Sequence, residues 1–181
     1  KNAVFNLFKF DFSLSKNLLR KSWPILFSGI GIIIYMRIDQ IMLGQMLNSE
    51  AVGVYSAAIK LSEIWHFIPK ITLISVTPIL ISMHKKNKLS FKKEFKKILK
   101  IMILLSILIS FFIFVFSKSI IGILYGNEFY ESIDVLKINI WSLIFVSMGV
   151  ISSQWYIIKN KQHFSLYYVL LGAIANIILN Y

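Results

Sequence analysis

Cysteine is absent from this sequence of 181 residues, and acidic side chains are scarce, with eight Asp and Glu in all. Without cysteine there is no disulfide framework, no thiolate metal site and no thiol nucleophile. The three histidines are scattered without ligand spacing, so no metal and no cofactor is predicted. Charged residues make up only 15% of the chain, against roughly 25% in soluble domains. Together these shortages argue against a soluble globular protein.

Long apolar runs are what the sequence has instead. Hydrophobic residues make up 57% of the chain, and its mean hydropathy is +0.71. Runs of about 18 or more such residues are long enough for a helix to cross a hydrocarbon core. The sequence therefore predicts an all-α, polytopic membrane helix bundle of about five transmembrane helices. The net charge of +12 would suggest nucleic acid in a soluble chain. Because most lysines lie between apolar runs, they are better explained as topology signals than as a nucleic-acid-binding surface. No nucleic-acid partner is expected.

Five spans are predicted, at residues 22–47, 51–83, 98–117, 133–158 and 164–181. Residues 1–21 are predicted to be a cytoplasmic or interfacial approach segment before a transmembrane bundle that occupies residues 22–181. Residues 84–97 are predicted to be a basic cytoplasmic loop. In the first span, Gly29 and Gly31 would allow a neighbouring helix to come close.

Basic residues gather on alternate sides of the predicted spans. Five precede the first span, eight lysines lie in 84–100, and Lys159 and Lys161 follow the fourth span. The other two connections hold Glu50 alone, or Lys118 against three acids. By the positive-inside rule, the N-terminus is therefore cytoplasmic. The dense lysine run could also bind anionic membrane lipids, but a topology signal needs no ligand and is the preferred interpretation.

Ionisable side chains inside the spans are the candidates for a functional site, because placing them in lipid is costly. The candidate cavity-lining residues are Arg37, Asp39, Lys60, Glu63, His66 and Lys70. Arg37 and Asp39, two residues apart on one helix, point roughly opposite ways and are not a simple pair. The candidates in the second span share one helical face with Ser56 and Phe67, although His66 lies only close to it. This pattern predicts a polar cavity open towards the outer half of the membrane.

Alternatives stay open for several of these residues. Lys60 and Glu63 are also spaced as a plain ion pair that neutralises itself along one helix. His66 is about as well explained as a packed histidine as by a proton carrier. The acidic stretch at 128–134 is interpreted as a solvated loop. It is only weak support for the active site of a membrane enzyme, so no catalytic residue and no enzyme activity are predicted.

Three strings carry a resemblance to a known family. They are YMRIDQIMLG at 35–44, AVGVYSAA at 51–58 and LSEIWHFIP at 61–69. Looser matches are LLRKSWP at 18–24, YGNEF at 125–129 and ISSQW at 151–155. With these strings, nearly the whole chain resembles the Wzx-type polysaccharide and O-antigen flippases, which belong to the multidrug/oligosaccharidyl-lipid/polysaccharide exporter superfamily.

The resemblance implies a MATE-like transporter, with two lobes of helices around a central cationic cavity. The chain is similar to the start of the second lobe, so it is expected to be a fragment whose missing lobe is a partner. Such proteins flip undecaprenyl-pyrophosphate-linked repeat units across the bacterial inner membrane. Arg37, Lys60 and Lys70 would then contact diphosphate or acidic sugars, and Asp39 or Glu63 could couple a proton or sodium ion. The alternatives are a cation-coupled multidrug exporter of the same fold and a non-transporting membrane scaffold.

Overall fold

The computed structural model describes residues 11–180, which are helical along most of their length. The α-helices are α1 (Phe12–Met46), α2 (Ser49–Glu63), α3 (Phe67–Lys86), α4 (Lys88–Leu124), α5 (Ser132–Asn139), α6 (Ser142–Ile158) and α7 (Gln162–Asn180), with short 3-10 helices at Ile64–His66 and Asn127–Phe129. Within the described range, five stretches are long and apolar enough to cross a membrane: Phe12–Met46, Ser49–Lys86, Lys88–Leu124, Ser132–Ile158 and Gln162–Leu179. The prediction of an all-α bundle with about five spans is confirmed, and the chain is a membrane protein.

Several helix ends differ from the predicted span boundaries: α4 runs on to Leu124, and the predicted span 133–158 is divided into α5 and α6. The helix α1 already begins at Phe12, so the described part of the approach segment 1–21 is continuous with the first span; the rest of it lies outside the described residues. A helical hairpin replaces the predicted basic loop at 84–97, because α3 runs on to Lys86 and α4 starts at Lys88. Lysine is a good helix former, so a lysine-rich stretch does not end a helix by itself.

Asparagine side chains cap the start of α2 and of α4, each of which follows a short connection. The Oδ1 atom of Asn48 accepts a hydrogen bond from the backbone N–H of Ala51 at 2.9 Å. The Oδ1 atom of Asn87 accepts from the N–H groups of Leu89 and Ser90 at 2.9 and 3.2 Å. An acceptor at this position satisfies N–H groups that have no partner inside the helix. Both connections can therefore be short, and each pair of helices forms a hairpin.

Two residues with positive φ lie just beyond helix ends. Gly126, with φ of 80°, follows the C-cap of α4, and Asn160, with φ of 56°, follows that of α6. After Asn160, the N–H of Lys161 donates to the carbonyl of Tyr156 at 2.7 Å, which closes the last turn of α6 as in a Schellman motif. Glycine and asparagine tolerate this left-handed conformation best, so both turns follow from local residue chemistry.

Residues 37–161 form one compact unit with two buried apolar clusters. The first cluster joins α2, α4 and the α5 region through Ala58, Leu61, Ile113, Ile121, Ile133, Leu136 and Ile140. The second joins α3, α4 and α6 through Leu80, Phe91, Phe95, Met102 and Ile151. Because α4 contributes to both clusters, it is the central helix of this unit.

Buried serines line the packed face of α4. Ser106, Ser110 and Ser117 are all buried, at spacings of four and seven residues. The hydroxyl oxygen of Ser106 lies 2.7 Å from that of Ser147 on α6, and the hydroxyl of Ser110 donates to the carbonyl of Ile140 at 2.9 Å. Small residues at such spacing let membrane helices approach closely, and their hydroxyls link the helices. The sequence interpretation missed this stripe, although its spacing was visible.

The second compact unit contains residues 11–36 and 162–180 among those described. The side-chain amide of Gln162 donates to the carbonyl of Lys21 at 2.9 Å. A Cβ atom added at Gly31 would lie 3.0 Å from a methyl carbon of Val169, whereas one at Gly29 would meet nothing within 4 Å. The close approach predicted for the two glycines is therefore confirmed at Gly31, while no described residue approaches Gly29.

Candidate functional site

Two polar contacts join α1 to α2. The guanidinium Nη2 of Arg37 lies 3.7 Å from the Oε2 of Glu63, and the hydroxyl of Tyr55 donates to Oδ2 of Asp39 at 2.9 Å. We call these four residues the α1–α2 polar cluster. Since only two residues separate the helices, the hairpin fixes which side chains of α1 and α2 face each other. The cluster lies entirely within the unit formed by residues 37–161.

The ion pair between Arg37 and Glu63 is only half shielded. The side chain of Arg37 is 49% exposed and that of Glu63 is 21% exposed. A separation of 3.7 Å satisfies an ion pair but exceeds the usual hydrogen-bond length. Glu63 therefore offsets the cost of a cation within a membrane-spanning stretch. The guanidinium carries five N–H donors, so this pairing leaves it able to bind a further anionic group.

Asp39 has its own partner across the hairpin, the half-buried Tyr55. A phenol that donates a hydrogen bond to a carboxylate fixes the position of that carboxylate. Arg37 and Asp39 therefore contact different residues of α2, in agreement with the expectation that they do not pair with each other. Arg37 and Asp39 are therefore each held by a side chain of α2.

The structure pairs Glu63 with Arg37 and does not pair it with Lys60. Among the described residues, the ion pairs are Arg37–Glu63 and Lys137–Asp134. The alternative in which Lys60 and Glu63 neutralise each other along α2 is therefore wrong for this structure. Lys60 is exposed. A lysine left in such a position requires water or another protein surface, because lipid would not solvate it.

The 3-10 helix at Ile64–His66 interrupts the alignment of the candidate residues along one face of the second span. Such a helix has three residues per turn instead of 3.6, so three residues rotate the following side chains by about 60° relative to a continuous α-helix. Lys70, which is exposed on α3, is therefore rotated about the helix axis, away from the position that an uninterrupted α-helix would give it. Phe67 is shifted in the same way.

His66 is separated from the other candidates by its burial. Its side chain lies in the 3-10 helix, which packs against α6, and only 8% of the residue is exposed. Within the described part of the chain its Nε2 atom has no hydrogen-bond partner. The packed-histidine interpretation fits this position better than a group lining an open cavity. Across residues 11–180, no three acidic or histidine side chains group as a metal site requires.

Comparison with known proteins places this hairpin inside a family match. A family model described as polysaccharide biosynthesis protein matches residues 6–134, a range that contains the whole polar cluster. No curated protein and no solved structure matches the chain. Since the family match covers well over half of the 181 residues, the chain belongs to the polysaccharide biosynthesis protein family.

Proposed function

We propose that the protein is part of a flippase that moves a lipid-linked oligosaccharide across the bacterial inner membrane, with its N-terminus in the cytoplasm. The observation that carries the proposal is the half-exposed guanidinium of Arg37, balanced by Glu63 from a second helix within membrane-spanning stretches. Family membership supports a role in polysaccharide assembly. An undecaprenyl-pyrophosphate carrier supplies the anionic group for which a cationic site is suited, and the proposal contains no catalytic step.

The exposed lysines support the same cavity. Lys60 and Lys70 are both exposed on the chain that carries Arg37. Exposed cations at membrane depth would have a high free-energy cost in contact with acyl chains. Their exposure therefore favours a water-filled space or a facing protein surface. The proposed arrangement is MATE-like, in which an opposing lobe of helices closes over this face. The diphosphate and acidic sugars of the substrate then lie between Arg37 and the lysines.

The ion pair also suggests how substrate binding is coupled to a cation. A diphosphate and the Glu63 carboxylate compete for the same guanidinium, because both are anionic acceptors for Arg37. When the diphosphate binds, Glu63 loses its cation and becomes able to take up a proton or a sodium ion. Asp39 is the second candidate for this role, and its release would require breaking the hydrogen bond from Tyr55.

Substituting Arg37 in the full-length gene tests the proposal. Arg37→Ala is expected to lower surface polysaccharide at least about tenfold per unit of membrane-inserted protein, since bonds to charged groups contribute about 1.5–3 kcal/mol. Arg37→Lys keeps the charge and should retain part of the activity, although it loses the planar, forked geometry. The matched control is Lys137→Ala, which removes one cation from an exposed ion pair with Asp134.

The outcomes distinguish the competing functions. If the Arg37→Ala variant exports as much polysaccharide as the Lys137→Ala variant at equal protein level, the transport-site role is contradicted and a scaffold role is favoured. If Arg37→Ala instead abolishes efflux of a cationic drug while polysaccharide is unchanged, the multidrug exporter is favoured.

A further inference from the structure

The ends of three membrane-spanning stretches meet on one side of the unit formed by residues 37–161. The helices α3 and α6 end there and α4 begins there, and they are held together by ring contacts. A cleft of about 370 Å³ opens between α3 and α6. Its apolar wall includes Ile81 from α3 and Ile157 from α6, both exposed. Lys85 and Lys159 contribute its cationic groups, so one cleft joins an apolar wall to two positive charges.

The aromatic residues beside this cleft hold it in shape. The ring of Trp155 stacks on that of Phe91, with centroids 4.9 Å apart, and meets that of Phe95 edge-on at 4.7 Å. The ammonium of Lys159 lies 3.9 Å from the centroid of the Trp155 ring. A cation over an indole face is attracted to it, which restricts an otherwise flexible side chain. Lys159 is thus positioned before any ligand arrives.

The charged side chains that line the cleft are cationic. No acidic residue lines the cleft. Desolvation is the largest cause that lowers the pKa of Lys159, followed by repulsion from Lys92, Lys161 and Lys88. Both effects mean that the folded chain holds this ammonium in its charged form at a cost in free energy. An anion bound beside Lys159 would offset the repulsion.

We propose that the α3–α6 cleft binds an anionic phospholipid, with its phosphate between Lys85 and Lys159 and an acyl chain along Ile81 and Ile157. A lipid is favoured over a free phosphate because only a lipid uses the apolar wall. The depth also fits, since the apolar stretch of Ser132–Ile158 ends one residue before Lys159. Basic pockets between membrane helices are suited to anionic headgroups. This inference is independent of what the protein transports.

Native mass spectrometry of the purified full-length protein, exchanged into equal amounts of phosphatidylglycerol and phosphatidylcholine, tests the site. Wild-type protein should retain phosphatidylglycerol preferentially. In the double variant Lys85→Gln/Lys159→Gln, this preference should fall about tenfold. The reason is that each lysine near an anionic surface contributes a few-fold to lipid affinity. The matched control is Lys93→Gln/Lys97→Gln, which removes two exposed lysines of α4 that do not line the cleft and should change the preference less than about twofold.

Three further measurements decide the interpretation. Lys159→Arg preserves the cation and its contact with Trp155, so it should retain the lipid. Lys85→Gln alone, at an exposed position, should show a partial loss even if the double variant proves unstable. Glycerol 3-phosphate should displace the lipid poorly. The inference is overturned if the cleft variant behaves as wild type, if both double variants lose the lipid equally, or if the free phosphate ester competes as well as the lipid.

Discussion

Among single side chains, Arg37 and Glu63 offer the sharpest test of the hairpin geometry. Arg37→Glu places two like charges at 3.7 Å contact distance, so the amount of folded protein in membranes should fall several-fold. The exchange Arg37→Glu/Glu63→Arg restores opposite charges and should recover part of that loss. Fluorescence-detected size-exclusion chromatography of extracted protein measures both effects. A double variant no better folded than the single one would contradict the pairing.

Tyr55 offers a second test at the same scale. Tyr55→Phe removes the hydrogen bond to Asp39 while it keeps the ring, so unfolding in detergent should become easier by about 0.5–1.5 kcal/mol. The matched control is Tyr130→Phe, at an exposed ring in the same unit, and it should change the free energy of unfolding much less. Equal effects in the two variants would show that the contact with Asp39 adds nothing.

For whole elements, the serine stripe of α4 sets how closely helices pack. Ser110 is fully buried and donates to the carbonyl of Ile140. Ser110→Leu should therefore force α4 away from the end of α5 and lower the free energy of unfolding by about 1–3 kcal/mol. Ser119→Leu makes the same change at an exposed position of α4 and should be nearly neutral. The midpoint of chemical unfolding in detergent measures both variants.

The comparison of sequence and structure is also clearest at the level of elements. Hydropathy predicts the five spans because their apolar length is a property of each segment alone. It does not reveal that the lysine-rich stretch is helical, since helix ends depend on capping by residues such as Asn87. The 3-10 turn at Ile64–His66 likewise escapes a periodicity argument that assumes one uninterrupted helix.

The same limit applies to the candidate site. Charge within apolar runs was sufficient to single out Arg37, Asp39 and Glu63. Their partners were not predictable, because the pairs Arg37–Glu63 and Asp39–Tyr55 depend on how two helices are aligned across the hairpin. Ring contacts such as Phe91 on Trp155 depend in the same way on residues distant in the sequence.

On the scale of the whole molecule, the orientation of the chain can be read with single cysteines, because the native sequence has none. The helix α4 has 37 residues and so spans about 55 Å, which separates its two ends across a membrane. In intact cells, a membrane-impermeant thiol reagent should label Glu131→Cys but not Ser90→Cys, whose position lies in the basic stretch. Permeabilised cells, in which both should react, are the control. The reverse pattern would contradict a cytoplasmic N-terminus.

The connection of two residues between α1 and α2 has a mechanical consequence. With Asn48 capping the next helix, the joint has too few free bonds to let one helix slide along the other. Arg37 and Glu63 must then move together with the hairpin during any reorientation of these helices. In the proposed transport cycle, access to the guanidinium would therefore be controlled by the protein surface that faces the hairpin and not by the hairpin itself.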